Sequence, residues 1–145
     1  MSETAGAQRI QELVDALRSW QAIERHGIES TGVMIERTDN PLVRIVLEII
    51  RHDSMMHHRV QQFLIDSLTL EGLRLTPEEL GVIWEQIAAH QALERQSVEL
   101  ARRATERAPS IAHKQILEYL LTDESKHDTL LARLEELKSA IYPYA

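Results

Sequence analysis

The sequence predicts an all-α protein: an antiparallel four-helix bundle built from a duplicated helical hairpin. Three observations carry that expectation. Apolar residues recur at three- and four-residue spacing through four long stretches, and no stretch alternates with the period of two that a half-buried strand requires. Five glycines and four prolines are spread over 145 residues, so the pieces between breaks are long. Much of the chain also appears twice, at a separation of about 70 residues.

Each helix has its own signals. The first is expected from about residue 7 to 37, with Ile10, Leu13, Leu17, Trp20, Gly27 or Ile28, Thr31 and Met34 or Ile35 on one stripe. Asp39-Asn40-Pro41 reads as a tight turn, with Asn40 capping the next helix and Pro41 at its first position, where a missing N–H does no harm. The second helix runs to about Ser67 through Leu42, Val46, Ile49, Met56, Val60, Phe63 and Leu64. Residues 71–75 break it. Thr76-Pro77-Glu78-Glu79 then carries a capping box, Thr76 as cap and Glu79 third after it. A third helix is expected from Pro77 through Leu80, Ile83, Ile87, Ala101 and Ala104 to about Arg107. Ala108-Pro109-Ser110 turns the chain, and a fourth helix reaches about Ile141 via Ile116, Leu120, Leu130, Leu134 and Leu137. One domain over 1–145 follows, with hairpins at about 7–68 and 77–141 and Tyr142-Pro143-Tyr144 as a short tail.

Composition narrows the function classes. Apolar residues make up 43% and charged ones 27%, the balance of an ordinary folded domain long enough to bury a core. The net charge of −7 argues against nucleic acid or an anionic membrane as partner. No run of 18 apolar residues spans a membrane, and the first residues lack the basic and apolar regions of a signal peptide. A cytoplasmic protein is the expectation. Without cysteine, thiolate zinc sites, iron–sulfur clusters and disulfides are excluded.

The repeat is the most informative feature. A shift of 70 lays Gln21-Ala22-Ile23-Glu24-Arg25 on Gln91-Ala92-Leu93-Glu94-Arg95, and Leu47-Glu48 on Leu117-Glu118. It also lays Asp53 on Asp123 and His57 on His127. Glu24 interrupts the first apolar seam, His90 and Glu94 the third, Asp53 and His57 the second, Asp123 and His127 the fourth. Glu24 precedes the first turn by about 15 residues and Asp53 follows it by about 14, so at about 1.5 Å per residue they meet at one height. Glu124 and His127, three apart, share a helix face. A buried carboxylate costs several kcal/mol unless paired, protonated or bound to a cation. A divalent metal explains such a layer directly; a self-satisfied ion-pair network is the alternative.

Together, Glu24, Asp53-x-x-x-His57, Glu94 and Asp123-Glu124-x-x-His127 resemble the site of the ferritin-like superfamily, particularly rubrerythrins and bacterioferritins, over roughly residues 15–138. The resemblance implies Glu24 and Glu94 as terminal carboxylates, His57 and His127 as imidazole ligands and Glu124 as a bridging carboxylate. It places Asp123, with Asp53 matching it, behind a ligand histidine. It implies iron, one or two ions, with manganese or zinc suiting the same donors. The implied chemistry is dioxygen or peroxide activation, of an oxidase or peroxidase type, or ferroxidase activity. The absence of cysteine calls for an external electron donor, and a homo-oligomer fits the family.

Two departures are visible. Ser54 stands where Glu124 stands in the second repeat, so one bridging carboxylate is missing; Asp53 or His90 would have to replace it. The family joins helices 2 and 3 by a long crossover. Here residues 69–76 reach at most roughly 28 Å, which gives a plain up-down-up-down bundle unless helix 3 starts later or hairpins exchange between chains. A metal-storage subunit without turnover and an interaction bundle with a degenerate site are the other functional readings. His26, His52, His58 and His113 fall off the seams and read as solvated; Met55 and Met56 read as core filler, Trp20 and Trp84 as core or interface.

Overall fold

A computed structural model describes residues Ser2–Ile141. The tail expected at Tyr142-Pro143-Tyr144 lies outside them. Five helices follow in order: α1 Ser2–Arg37, α2 Pro41–Thr69, α3 Pro77–Gly81, α4 Trp84–Glu106 and α5 Ile111–Ile141. There is no strand among the described residues, as the periodicity requires. The chain divides into two compact units, Met1–Leu73 and Arg74–Ala145.

The first unit is the hairpin of α1 and α2. Its turn forms as the sequence dictates: Asn40 Oδ1 accepts from the backbone N–H groups of Leu42 and Val43 at 3.0 and 3.1 Å, and Pro41 follows at the first position. The helices are antiparallel, since Gln21 meets Gln62, Glu24 meets His57 and the Ile28 carbonyl meets Arg51. On α1 the buried positions are Val14, Leu17, Gln21, Glu24 and Thr31. Their three-and-four spacing is a narrow seam of the coiled-coil kind rather than a broad stripe. From α2, Gln61 and Ile65 are buried against it, with Leu64 and Leu68 packed alongside Val14, Leu17 and Ile65.

That seam keeps Leu17, Glu24 and Thr31 of the expected line and departs from it at Leu13 and Trp20, where Val14 and Gln21 are buried instead. Trp20, expected as core or interface, is 53% exposed, and Gln21 takes the buried place. Exposed Leu13 and Trp20, seven residues apart, continue a second apolar line on α1; Val46, Ile50 and Val60 form one on α2 with Asp53 and His57 between them. Each helix is thus apolar over a wider arc than its neighbour in the hairpin covers. Buried polar groups in the seam are partly satisfied: the Gln21 amide donates to Gln62 Oε1 at 3.0 Å and Thr31 Oγ1 to the Gly27 carbonyl at 2.7 Å. Gln61 Oε1 is buried without a hydrogen bond.

The second unit contains α3, α4 and α5. Thr76 and Glu79 form the capping box: Thr76 N–H donates to Glu79 Oε2 at 2.8 Å and Glu79 N–H to Thr76 Oγ1 at 3.2 Å. The Thr76 hydrogen bonds hold the Glu79 carboxyl below its ordinary range. The single third helix expected from Pro77 to Arg107 is instead broken into α3 and α4. Gly81 and the β-branched pair Val82-Ile83 are weak helix formers in sequence, and Ile83, at φ −114° and ψ 1°, caps α4 without a side-chain hydrogen bond. From Trp84 onward α4 is regular and runs antiparallel to α5, with Lys138 over the Trp84 ring at 4.2 Å and Arg95 against Asp128 at 3.4 Å. On α5 the exposed Leu120 and Leu130 flank Asp123 and His127, so this hairpin too carries an open apolar line with acid and imidazole at its centre. Among the described residues no helix is long and apolar enough to cross a membrane.

Candidate metal centre

In each hairpin a glutamate from the first long helix is buried against a histidine from the second. Glu24, 8% exposed, has Oε1 3.3 Å from His57 Nδ1; Glu94, also 8% exposed, has Oε2 3.5 Å from His127 Nδ1. The surrounding contacts recur with the same offset of 70. Gln21 Nε2 donates to the His58 carbonyl at 3.4 Å, and Gln91 Nε2 to Asp128 Oδ1 at 3.5 Å. Arg25 Nη1 lies 3.2 Å from His58 Nε2, and Arg95 Nε lies 3.4 Å from Asp128 Oδ1. His58, read from the sequence as solvated, is therefore a half-buried packing residue of the first hairpin. The identical Gln21/Gln91 and Arg25/Arg95 pairs were the signal that could have shown it.

The two layers then diverge. In the second hairpin, donor atoms of Glu94, Glu124 and His127 all lie within 4.8 Å of one another, the one such group of three among the described residues. Their sources are α4, which contributes Glu94, and α5, which contributes Glu124 and His127 one turn apart. His127 Nδ1 is 3.5 Å from Glu94 Oε2 and 3.7 Å from Glu124 Oε2. On the other side of the ring, Nε2 faces Asp123 Oδ2 at 3.5 Å, and Lys126 Nζ sits 2.6 Å from Asp123 Oδ1. Asp123 thus stands behind the imidazole, the side from which a carboxylate fixes a ligand histidine's ring and tautomer.

His90 serves a different atom. Its Nε2 is 2.9 Å from Glu94 Oε1, and since an ionised carboxylate only accepts, the imidazole donates. His90 is not one of the three convergent groups. Glu94 Oε2, by contrast, is buried and has no hydrogen bond, and His127 Nδ1 lies 3.5 Å from it. A protonated Glu124 can supply Glu94 with a further hydrogen bond: that bond draws Glu94 below the ordinary carboxylate range and pushes Glu124 above it.

The first hairpin lacks a third donor. Asp53, Glu24 and His57 do not form a convergent group. Ser54, at the position of Glu124, is half-buried with Oγ 3.6 Å from where a Gly27 side chain would begin. The positions 70 residues on from Gly27 and Ser54 are Ser97 and Glu124. His57 is also the more open imidazole, its side chain 58% exposed against 41% for His127.

The donor set of the second hairpin fits a cation. Metal–nitrogen and metal–oxygen bonds of about 2.0–2.1 Å arranged tetrahedrally put neighbouring donors roughly 3.3 Å apart. The two separations from His127, 3.5 and 3.7 Å, are close to that, and the Glu94 and Glu124 donors lie within 4.8 Å of each other. An orphaned buried carboxylate oxygen beside an imidazole nitrogen is the electrostatic counterpart of the same fit. No protein-family model, curated protein or solved structure matches the chain.

Proposed function

We propose that this chain is a metal-binding helical protein of the ferritin-like kind, holding a first-row divalent cation between Glu94, Glu124 and His127. The observation that carries the reading is Glu94 Oε2: nearly buried, unbonded, and facing an imidazole and a second carboxylate within ligand range. Asp123 orients His127 from behind, and the proton between Glu94 and Glu124 is what a cation would displace. Iron is the ion the resemblance suggests; two carboxylates and one imidazole also suit manganese or zinc. Iron bound here would supply redox chemistry toward dioxygen or peroxide. The chain has no cysteine to deliver electrons, so turnover would draw on an external donor.

The apolar lines beside the acid–imidazole layers support the four-helix bundle that the sequence predicts, in which such flanks are covered rather than open. Leu120 and Leu130 at 44% and 54% exposure, and Val46, Ile50 and Val60 at 40–46%, are more apolar surface than two-helix units leave open without use. Covering those flanks would remove water from the layer and strengthen its electrostatics.

Metal analysis of protein purified under mild conditions tests the binding reading: protein without stoichiometric metal, and unable to acquire it from Fe(II), Mn(II) or Zn(II), refutes it. Oxygen uptake on adding Fe(II) separates oxidative turnover from simple storage.

A further inference from the structure

Resting on the metal-binding reading, the geometry points to an unequal pair of hairpins: a single ion per chain lodged wholly in the second, with His90 as the residue that positions Glu94 rather than a ligand.

Two independent features lead there. The first is the count of convergent donors. The second hairpin supplies three from two adjacent helices, whereas the first brings together only Glu24 and His57. The missing donor is a matter of residue type: Ser54 offers a neutral hydroxyl, a weak ligand for a divalent cation, and it sits against Gly27. Glu24 Oε1 has His57 Nδ1 beside it at 3.3 Å and no third donor group converges on the pair.

The second feature is the orientation of Glu94. Its two oxygens have different tasks. Oε1 accepts from His90 Nε2 at 2.9 Å, one helical turn earlier on α4, while Oε2 points to His127 and Glu124 without a hydrogen bond. Donation through Nε2 means that this nitrogen carries the proton and has no lone pair to give a metal. The imidazole therefore fixes the carboxylate in the rotamer that aims Oε2 at the cluster. The position 70 residues earlier is Trp20, so the first hairpin has no counterpart.

Titration calorimetry with Zn(II), and with Co(II) as a visible reporter of the ligand set, tests this on the full-length chain. The wild type is expected to bind one ion, and His57→Ala to keep that stoichiometry; His127→Ala is expected to lose tight binding. His90→Ala should weaken binding by roughly 10- to 100-fold, the range for residues that orient a ligand, with the shape of the Co(II) spectrum unchanged. His90→Gln, whose amide can still donate to Glu94, should recover most of the affinity, and it decides the matter if the alanine variant fails to fold. No binding by the wild type overturns the metal-binding reading itself. Two ions per chain, or loss of the ion in His57→Ala, overturns the assignment to the second hairpin. An altered Co(II) spectrum in both His90 variants makes His90 a ligand, and unchanged affinity in both removes its positioning role.

Discussion

Leu13 and Leu17 stand one turn apart on α1, and truncating each to alanine separates an open hairpin from a covered one. Leu17 is 5% exposed and belongs to the cluster with Val14 and Ile65. Leu17→Ala removes three carbons, about 2.4 kcal/mol at about 0.8 per methylene. A cavity term adds to that, but a seam two helices thick relaxes more readily than a deep core, so about 2.5–3 kcal/mol is expected. Leu13 is 48% exposed. If its flank stays open, only about half the transfer term is lost, no enclosed cavity forms, and alanine's helix propensity returns a little, leaving about 1 kcal/mol. If another hairpin covers the flank, Leu13 becomes a core residue and Leu13→Ala should cost about 2 kcal/mol or more. Urea unfolding followed by circular dichroism measures both. The four-helix assembly predicts comparable costs for the two variants. A Leu13→Ala cost near 1 kcal/mol refutes the covering of the flank, and a Leu17→Ala cost below about 1 kcal/mol refutes the seam itself.

The other expectations concern the site and the helix ends. Because folding raises the Glu124 pKa, its contribution is present below the unfolded value and lost as pH rises through the folded one; because folding lowers that of Glu94, its contribution is present above the unfolded value and lost as pH falls through the folded one. Metal-free protein should therefore melt highest within the carboxylate range and lower toward neutral pH, and Glu124→Gln should remove the neutral-side loss; a melting temperature independent of pH there contradicts the shared proton. Metal binding should strengthen as pH rises through the raised Glu124 value, with proton release visible in buffers of different ionisation enthalpy. Chelation of metal-loaded protein should lower its melting temperature by mass action, and an unchanged curve speaks for a self-satisfied layer. Asn40→Ala and Thr76→Ala should each cost about 1 kcal/mol in urea unfolding through the lost caps, with neither altering metal affinity. Ser54→Glu should raise metal stoichiometry toward two, since Gly27 leaves room beside it; a stoichiometry fixed at one means the first layer fails for reasons beyond the missing carboxylate.

Helix content and helix ends were legible because they depend on local chemistry. Asn40-Pro41 and Thr76-Pro77-x-Glu79 specify starts through side-chain oxygens that satisfy nearby N–H groups, and both formed as expected. The choice of seam was less legible. Leu13, Leu17, Trp20 and Ile23 give α1 apolar candidates on adjacent lines, and periodicity alone cannot say which line meets α2. The structure buries Gln21 in place of Trp20 on the line that also holds Leu17 and Glu24, a choice the pattern does not show because glutamine is usually exposed. The break at Gly81-Val82-Ile83 was obscured by apolar spacing that continues through it. Among candidate ligands, the partnership of Glu94 with His127 followed from chain position, whereas the direction of His90 depends on a side-chain rotamer that sequence does not carry.

The divergence of the two hairpins follows the residue at one position of the second helix: Ser54, which lies beside Gly27, in the first, and Glu124 in the second. Ser54 brings no carboxylate, and Glu24 has only His57 beside it. Glu124 brings a second carboxylate to Glu94 in a partly desolvated layer, where two ionised groups repel and one must hold a proton or both must share a cation. His127 remains between them and Asp123, and His90 turns Glu94 toward them. On the proposed reading, the same acid–imidazole pair is structural in one hairpin and a cation site in the other without a change in the pair itself. What differs is whether a third donor makes the unbound layer electrostatically unsettled.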